Sequence, residues 1–356
     1  MLVDQVLEAS VLSNTGYTAE KWLRVLTERS SHLRTQDDFP VGNLRLCAAI
    51  ENEIGSDRES LLRFYVWLAS GCLTTAFVLT QRDAAWRRME SSSNEYVRRT
   101  LLPLVASGDA FVTVGISHLT TSRRHLAQPP MRARLDNGTW IIDGYCPWVT
   151  GGAFARWLVV GAVVEGGDEG DEIMVAIPAE TEGVFVEPGL ELMALTASST
   201  GAVRFDSVRV PKELVLHGPV KQVMNVSTGG GSGAGGLQTS ALAIGLSGQA
   251  IRFLSEESVR REELAGVVSG FQEQWDKLFH ELVEAGRTDS ISDPGGFRKS
   301  ANDLALHSTL AALAAAKGAA YVGGHDVGRW CREAMFFLVW SCPQSVVQSH
   351  LCTFAS

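Results

Sequence analysis

Helical spacing of apolar residues characterises both ends of the chain. Near the N-terminus, Val3, Val6 and Leu7 share one face of a predicted helix, and Glu51 to Arg88 carries long apolar faces with charged interruptions. From Leu237 onward the same spacing returns, in Ala241, Ile244, Leu246, Ile251 and Leu254 and later in Leu304, Leu306, Leu310 and Leu313. We therefore predict a helical domain over residues 1–108 and a helical bundle over residues 237–356.

Between these helical blocks, apolar residues occur in short β-branched runs. The runs lie between residues 110 and 216 and are separated by Gly, Pro and Asp: FVTVGI, TWIID, WLVVGAVV, IMVAI, GVFV and AVRF. This spacing is typical of a compact antiparallel sheet. The pattern predicts a β-domain over residues 109–218 and a glycine-rich joint over residues 219–236. The predicted fold class is α+β, with an antiparallel β-domain between two helical domains.

Composition narrows the class of protein. A chain of 356 residues is long enough for about two or three domains, and its 45% hydrophobic and 20% charged residues are usual for a folded protein. The formal net charge of −9 argues against binding to nucleic acid or to an anionic membrane, because a broadly basic face is not expected. It still allows an anionic cofactor that a few local donors hold.

The cysteines indicate a reducing compartment. The six cysteines form no CxxC pair and no zinc-finger spacing with histidine, so we expect free thiols and no metal site. The first residues lack the basic and apolar segments of a secretory signal. The most apolar stretch, Phe64 to Thr80, contains Ser, Gly, Cys and Thr and is shorter than a typical membrane span. The predicted location is the cytoplasm.

A glycine-rich segment raises the question of a dinucleotide-binding motif. Gly231 to Gly236 satisfies GxGxxG, and Glu256 follows at about the usual distance. However, no apolar strand precedes the glycines, and Glu256 falls within the next predicted helix rather than after a second strand. We therefore interpret this segment as a flexible joint.

The segment with the most specific chemistry follows a predicted hairpin. Asn137-Gly138 predicts its tight turn, because both residues tolerate the positive φ that the turn requires. Beyond the second strand, Trp148 and Thr150 are two residues apart, which on extended backbone places them on one face. Gly151-Gly152 would let a planar group approach the backbone closely. We predict that Trp148 and Thr150 line a cofactor pocket; the alternative is a hairpin with a core Trp and a turn Thr.

This segment resembles the middle β-domain of the acyl-CoA dehydrogenase family, which carries the motif dGxxxxxGxKxWxTxG. The matching residues are Gly138, Gly144, Trp148, Thr150 and Gly152, while Cys146 replaces the family's Lys. Other family motifs resemble, in the same order, Leu102-Pro103-Leu104 with Gly108, the segment Val203 to Pro211, and Gly323-Gly324 followed by Arg332-Glu333-Ala334. The resemblance covers roughly residues 40–350, and the shared order of several weak motifs makes it specific.

The resemblance implies a flavoprotein oxidoreductase that binds FAD. Trp148 would pack beside the flavin ring and Thr150 would hydrogen-bond its reactive edge. The family's TEPxxGSD segment corresponds to residues 116–123, where Ser122 matches and Ser117 and Thr121 offer further hydroxyls. An ordinary polar loop is the alternative there. The resemblance also implies an acyl-CoA or other small-molecule substrate and a homodimer or homotetramer.

The family's carboxylate base has no visible counterpart. An acyl-CoA dehydrogenase removes the α-proton of its thioester with a carboxylate while hydride leaves the β-carbon. Counting nine residues on from Arg332 to the usual Glu position reaches Ser341, and the alternative position near Gly235 to Gln238 also lacks an acid. His325 and Asp326 are the remaining acid/base candidates, although a His near a helix end is more often structural.

The family's cofactor contacts are also reduced, which leaves several functions open. The RxxFGxxI motif corresponds to Arg260 to Gly270, where arginines occur without Phe-Gly. FAD held differently, FMN, and loss of flavin therefore remain alternatives. The chain would oxidise a CH–CH bond of an acyl thioester or similar substrate, act as a reduced-flavin-dependent monooxygenase of the same fold, or serve as a non-catalytic interaction homologue.

Overall fold

The order of helices, sheet and helices agrees with the prediction. The computed structural model describes residues 19–54, 57–108, 110–120, 130–226 and 236–355, so the helix predicted around Val3 to Leu7 lies outside the described residues. The N-terminal helices are α1 (Ala19–Ser30), α2 (Val41–Ile54), α3 (Arg58–Gly71), α4 (Leu73–Glu90) and, after a π-helical turn at Val97–Leu101, α5 (Leu102–Ala106).

Two of these helices form the centre of the N-terminal block. The carboxylate of Asp57 accepts a hydrogen bond from the backbone N–H of Ser60 and so caps α3. Cys72 separates α3 from α4, which divides the apolar stretch Phe64 to Thr80 between two helices. Among the described residues, no helix has both the length and the apolar character needed to cross a membrane.

Within the described residues, the middle block forms one sheet of eight strands. They are β1 (Val112–Gly115), β2 (Met131–Asp136), β3 (Thr139–Val149), β4 (Trp157–Val164), β5 (Asp171–Pro178), β6 (Val184–Val186), β7 (Gly201–Val210) and β8 (Val215–Lys221), with the short helix α6 (Ser117–Thr120) after β1. The strand order is β6-β7-β3-β2-β4-β5-β8, and β1 pairs with β4.

The predicted fold class is confirmed, with one correction: the sheet of the middle block is mixed and not antiparallel throughout. The pairs β1–β4 and β2–β4 are parallel, and the other pairs are antiparallel. The β2–β3 hairpin reverses the chain before β4 begins, so β4 runs in the same direction as β1 and β2. The hairpin turn itself is confirmed: Asn137 and Gly138 have φ values of 49° and 81°.

The C-terminal block follows the last strand. β8 ends at Lys221, slightly beyond the predicted domain boundary, and the short helix α7 (Val223–Val226) follows within the predicted joint. Residues 227–235, which hold most of the glycine-rich segment, lie outside the described residues. The longer helices are α8 (Leu237–Ser258), α9 (Ala265–Thr288), α10 (Pro294–Ala316), α11 (Asp326–Phe336) and α12 (Gln344–Phe354). Glu256 lies within α8, as predicted.

The apolar core joins these three blocks. One cluster fills the helical blocks, where α3 and α8 cross, and also takes in Leu195 from the β-domain. A second cluster lies on one side of the sheet. A third joins Ala85 and Met89 of α4 to Val112 and Val114 of β1. The N-terminal helices therefore pack directly on the sheet, and β1 lies at this contact.

Candidate functional site

The predicted Trp–Thr pair lies at the end of β3 and in the turn that follows. Cys146 and Val149 both face the sheet core. Residues three apart on a regular strand face opposite sides, but the pairing of β3 with β7 shifts register between these two residues, which allows both to face the core. Trp148 is turned outward and is 53% exposed, whereas Thr150 is only 5% exposed. The indole therefore lies at the surface while the neighbouring hydroxyl lies inside.

The Thr150 hydroxyl belongs to a buried polar cluster. Its Oγ1 lies 3.0 Å from Oγ1 of Thr200, which lies 2.8 Å from Oγ of Ser198. The carbonyl oxygen of Thr150 accepts a hydrogen bond of 2.7 Å from the hydroxyl of Thr113 on β1. All four side chains are buried, and at low local dielectric such hydrogen bonds are stronger than in water.

Gly151 fixes the position of this loop. Its φ of 67° lies in the left-handed region, and an added Cβ would come within 2.7 Å of the Phe111 ring and 2.9 Å of the Phe39 ring. Phe39 packs edge-on against Phe111 and stacks on Phe154 with ring centroids 4.3 Å apart. Because Phe39 precedes α2, the helical block supports the loop from behind.

A strained turn supplies the hydroxyl partners of Thr150. Leu195 and Ser199 flank a 3-10 turn at Thr196–Ser198 and have φ values of 63° and 48°, which is uncommon for residues with a side chain. The backbone N–H of Gly151 donates to the carbonyl of Ser198 at 2.9 Å. Among the described residues, the buried Ser199 Oγ has no hydrogen-bond partner. Strain of this kind is often concentrated at functional sites.

Sequence reasoning missed this turn as part of the site. Thr200 directly precedes β7, but it lies fifty residues from Thr150 along the chain. A Ser-Ser-Thr run before a strand is an ordinary polar feature. Only the pairing of β3 with β7 brings the two threonines together.

The Cys146 thiol, at the position of the family's Lys, faces inward. Its Sγ lies 3.4 Å from the carbonyl of Gly115 and 3.8 Å from Nδ1 of His118, whose Nε2 lies 2.8 Å from the carbonyl of Gly161. Burial raises the pKa of the Cys146 thiol. These contacts give Cys146 a structural role in the sheet core.

The hydroxyl residues predicted near the cofactor are only partly described. Ser117 begins α6, directly before His118, and is partly buried. Thr121 and Ser122 lie outside the described residues. The prediction that these three side chains contact a cofactor therefore stays a prediction.

The acid/base candidates His325 and Asp326 lie at the start of α11, where both side chains form local contacts. Nδ1 of His325 accepts a hydrogen bond of 3.2 Å from the backbone N–H of Val327 and caps the helix. Asp326 forms an ion pair of 3.0 Å with Arg329. Both side chains thus have local structural partners.

Ser341 lies in the turn between α11 and α12. Its φ is 46°, and it directly follows Trp340, whose ring stacks on Phe336 with centroids 5.2 Å apart. Trp340 also packs edge-on against Phe77 of α4, at 4.8 Å between centroids. Ser341 therefore adjoins an aromatic cluster that joins the C-terminal bundle to α4.

Buried carboxylates that the sequence did not identify are held by nearby donors. Asp83 on α4 accepts from Nε of Arg87 at 2.8 Å and from Nε2 of Gln238 at 2.6 Å, so a carboxylate does reach the start of α8. Glu333 pairs with Arg329 at 3.0 Å, and burial raises the pKa of its carboxyl. The Asp83 contacts link α4 to α8 and indicate a structural role.

Comparison with known proteins identifies relatives at low sequence identity. No family model matches the chain. It is 26% identical over 184 residues to the Probable acyl-CoA dehydrogenase YngJ of Bacillus subtilis (strain 168), and this match covers 50% of the chain and 47% of that protein. The chain thus spans about half the length of this curated relative.

Solved structures agree over almost the whole chain. Butyryl-CoA dehydrogenase from Megasphaera elsdenii superposes with a TM-score of 0.78 at 18% identity, over 95% of this chain and 94% of that one. FkbI, for biosynthesis of a methoxymalonyl extender unit, gives 0.75 at 21% identity, over 95% and 99%. FMN-bound TdsC from Paenibacillus sp. A11-2 gives 0.70 at 16% identity, over 88% and 92%. At these identities the structural likeness establishes the fold.

Proposed function

We propose that this chain, which resembles acyl-CoA dehydrogenases in sequence and in fold, is a flavin-dependent oxidoreductase whose flavin binds against Trp148 and Thr150. The observation that carries the proposal is the end of β3, where the 53% exposed indole of Trp148 lies two residues before Thr150, whose hydroxyl belongs to a buried cluster. A large exposed aromatic side chain beside polar groups is an arrangement that suits a planar ligand with a polar edge.

The residues present fit a flavin. The Trp148 indole offers a flat apolar surface, and the Thr150 hydroxyl offers one hydrogen-bonding group at its edge. When bound, the flavin would supply two-electron redox chemistry. The protein's own part would be to hold the ring against Trp148, to orient it through Thr150, and to keep the loop rigid through Gly151.

The reaction that the protein can catalyse depends on whether one of its groups can accept the α-proton of a substrate. Oxidation of a CH–CH bond in an acyl thioester needs a base for the α-proton, and a neutral Ser341 hydroxyl does not supply one. His325 and Asp326 are occupied at the start of α11. The first candidate function is the family's dehydrogenation of an acyl thioester or a similar substrate.

One observation favours a second candidate function, a reduced-flavin-dependent monooxygenase. Ser341 is no obstacle to a reaction that needs no carboxylate base, and TdsC, which has the same fold, was solved with FMN bound. We therefore propose that either FAD or FMN occupies the site, and the two candidate functions are to be separated by experiment.

Flavin binding is tested first with the purified protein and a matched pair of variants. We expect the absorbance bands of FAD or FMN to shift on titration with the wild-type protein. Trp148→Ala should weaken this binding roughly tenfold or more, because the ring loses its stacking surface. Tyr145→Ala, also an exposed aromatic residue on β3, is the control and should bind as the wild type does. Equal affinity in Trp148→Ala and the wild type would remove Trp148 from the site.

The reaction class is tested by excluding oxygen. If the protein is a dehydrogenase, anaerobic addition of an acyl-CoA should bleach the oxidised flavin band. If it is a monooxygenase, the oxidised band should persist with acyl-CoA, and the protein loaded with reduced flavin should consume oxygen. Protein that binds neither FAD nor FMN would instead support the non-catalytic interaction homologue.

A further inference from the structure

Three buried hydroxyl groups form a chain that ends at Thr150. The Oγ atom of Ser198 lies 2.8 Å from Oγ1 of Thr200, and Oγ1 of Thr200 lies 3.0 Å from Oγ1 of Thr150. All three residues are at least nine-tenths buried. Distances alone do not say which oxygen donates, because a hydroxyl is both a donor and an acceptor.

Counting protons limits the directions in which the hydrogen bonds among these three hydroxyls can run. Three hydroxyls carry three protons, and two oxygen–oxygen contacts use two of them. The remaining proton points outward from Ser198, from Thr200 or from Thr150. Among the described residues, neither Ser198 Oγ nor Thr200 Oγ1 contacts an acceptor outside these three hydroxyls, and both residues are buried. A proton that points outward from Ser198 or from Thr200 would remain unpaired in the interior, which is unfavourable.

The Thr150 end differs because Thr150 lies two residues after the exposed Trp148, within the proposed flavin site. We propose that Ser198 and Thr200 are positioning residues that make Thr150 a hydrogen-bond donor to the bound ligand ring. Ser198 donates to Thr200 and Thr200 donates to Thr150, so the Thr150 proton is left for the ligand. This inference rests on the proposed flavin site, and it goes further by assigning the direction of the hydrogen bond.

The backbone holds this chain in place. The N–H of Gly151 donates to the carbonyl of Ser198, which ties the Thr150 loop to the turn. Leu195 and Ser199, both in left-handed conformations, flank that turn, and the side chains of Ser198 and Thr200 are buried. Hydrogen bonds in such a chain polarise one another, so the direction set at Ser198 strengthens the donor at Thr150.

If the Thr150 hydroxyl always donates to the flavin ring, its interaction differs between the oxidised and the reduced flavin. The oxidised ring presents an unprotonated nitrogen at its reactive edge, whereas the reduced ring carries an N–H there. A donor from Thr150 therefore favours the oxidised ring. Loss of the Thr200 hydroxyl should weaken binding of oxidised flavin more than binding of reduced flavin, and so raise the midpoint potential of the bound flavin.

The test measures dissociation constants of FAD and FMN in both redox states, with dithionite-reduced flavin titrated under anaerobic conditions. In Thr200→Val, affinity for oxidised flavin should fall roughly five- to tenfold relative to affinity for reduced flavin, as expected for one hydrogen bond. Thr200→Ser keeps the hydroxyl and should restore the wild-type ratio. Thr113→Val is the matched control, because Thr113 bonds the Thr150 carbonyl and not its hydroxyl. It should change both affinities equally.

Each outcome separates this inference from the flavin site itself. If Thr200→Val keeps the wild-type ratio while Trp148→Ala loses flavin, the site stands and the donor assignment is overturned. If the wild-type protein binds neither flavin, both are overturned. Should Thr200→Val fail to fold, Ser198→Ala decides. This variant removes only the Ser198 hydroxyl, at the far end from Thr150. It should lower the affinity for oxidised flavin relative to the affinity for reduced flavin by a smaller factor than Thr200→Val, and an unchanged ratio of the two affinities would contradict the inference.

Discussion

Ser341 combines two features that bear on chemistry. The spacing from Arg332 predicts it at the position of the family's base, and it follows Trp340, whose ring packs against α4. Ser341 already has a side chain and a left-handed φ of 46°. Replacing it with another residue that has a side chain therefore introduces no new kind of backbone strain. The position is therefore suited to a gain-of-function substitution.

We predict that Ser341→Glu increases the α,β-dehydrogenation of simple acyl-CoA thioesters, while the wild-type protein shows little. A general base typically contributes a factor of about 10²–10⁴ in rate, so a correctly placed carboxylate should give a clear rise. The measurement is anaerobic reduction of bound flavin by acyl-CoA. Ser341→Gln, similar in size but without a base, is the control and should behave as the wild type does. Robust wild-type turnover would show that another residue is the base.

At the residue scale, the sequence predicted a left-handed backbone only at residues whose type favours positive φ. Asn137-Gly138 signals positive φ by composition, and the hairpin turn was predicted correctly. Leu195 and Ser199 carry no such signal, because tertiary contacts hold them in the left-handed region. The Trp148–Thr150 pair could be selected from its spacing, whereas its partner Thr200 could not.

At the scale of elements, close helix packing depends on single glycines. An added Cβ at Gly245 of α8 would lie 2.3 Å from the carbonyl oxygen of Val66 and 2.7 Å from Cβ of Ala69, both on α3. Backbone atoms cannot move aside as a flexible side chain can. The two helices approach this closely because residue 245 lacks a side chain.

We predict that Gly245→Ala lowers the free energy of unfolding by about 1–3 kcal/mol, the usual range for overpacking. Gly270 on α9 is the matched control, because nothing lies within 4 Å of its added Cβ. Gly270→Ala should raise stability by roughly 0.5–1 kcal/mol through helix propensity. Urea denaturation followed by circular dichroism gives both values. A neutral Gly245→Ala would mean that α3 and α8 can separate without loss.

Sequence patterns predicted the type of these elements better than their pairing. Periodicity separated the helical blocks from the strands because each element buries one face at its own repeat. It could not show that β1 and β2 run parallel to β4, since strand direction depends on the connections between strands. The bulge that turns Trp148 outward was equally hidden, because it appears only when β3 pairs with β7.

At the scale of the whole molecule, apolar side chains remain exposed on the C-terminal helices. The alanine-rich run after Leu310 packs mostly inward, where Ala312 and Ala315 are buried, so internal packing explains much of it. The exposed apolar residues in this part of the fold include Tyr321, Val322, Met335, Val339, Leu351 and Phe354. Apolar side chains grouped on a surface favour contact with another protein surface.

We predict that the chain self-associates as a homodimer or homotetramer and that these exposed C-terminal side chains contribute to the contact. Sedimentation at micromolar concentration should show an oligomer. The double variant Val339→Glu/Leu351→Glu should shift it towards the monomer, because each charge would have to be buried at the contact. Leu135→Glu is the control: Leu135 is 57% exposed but lies on β2 in the middle block, so its replacement should leave the oligomer unchanged. A wild-type monomer would contradict self-association. An oligomer that the double variant does not disturb would place the contact on another surface.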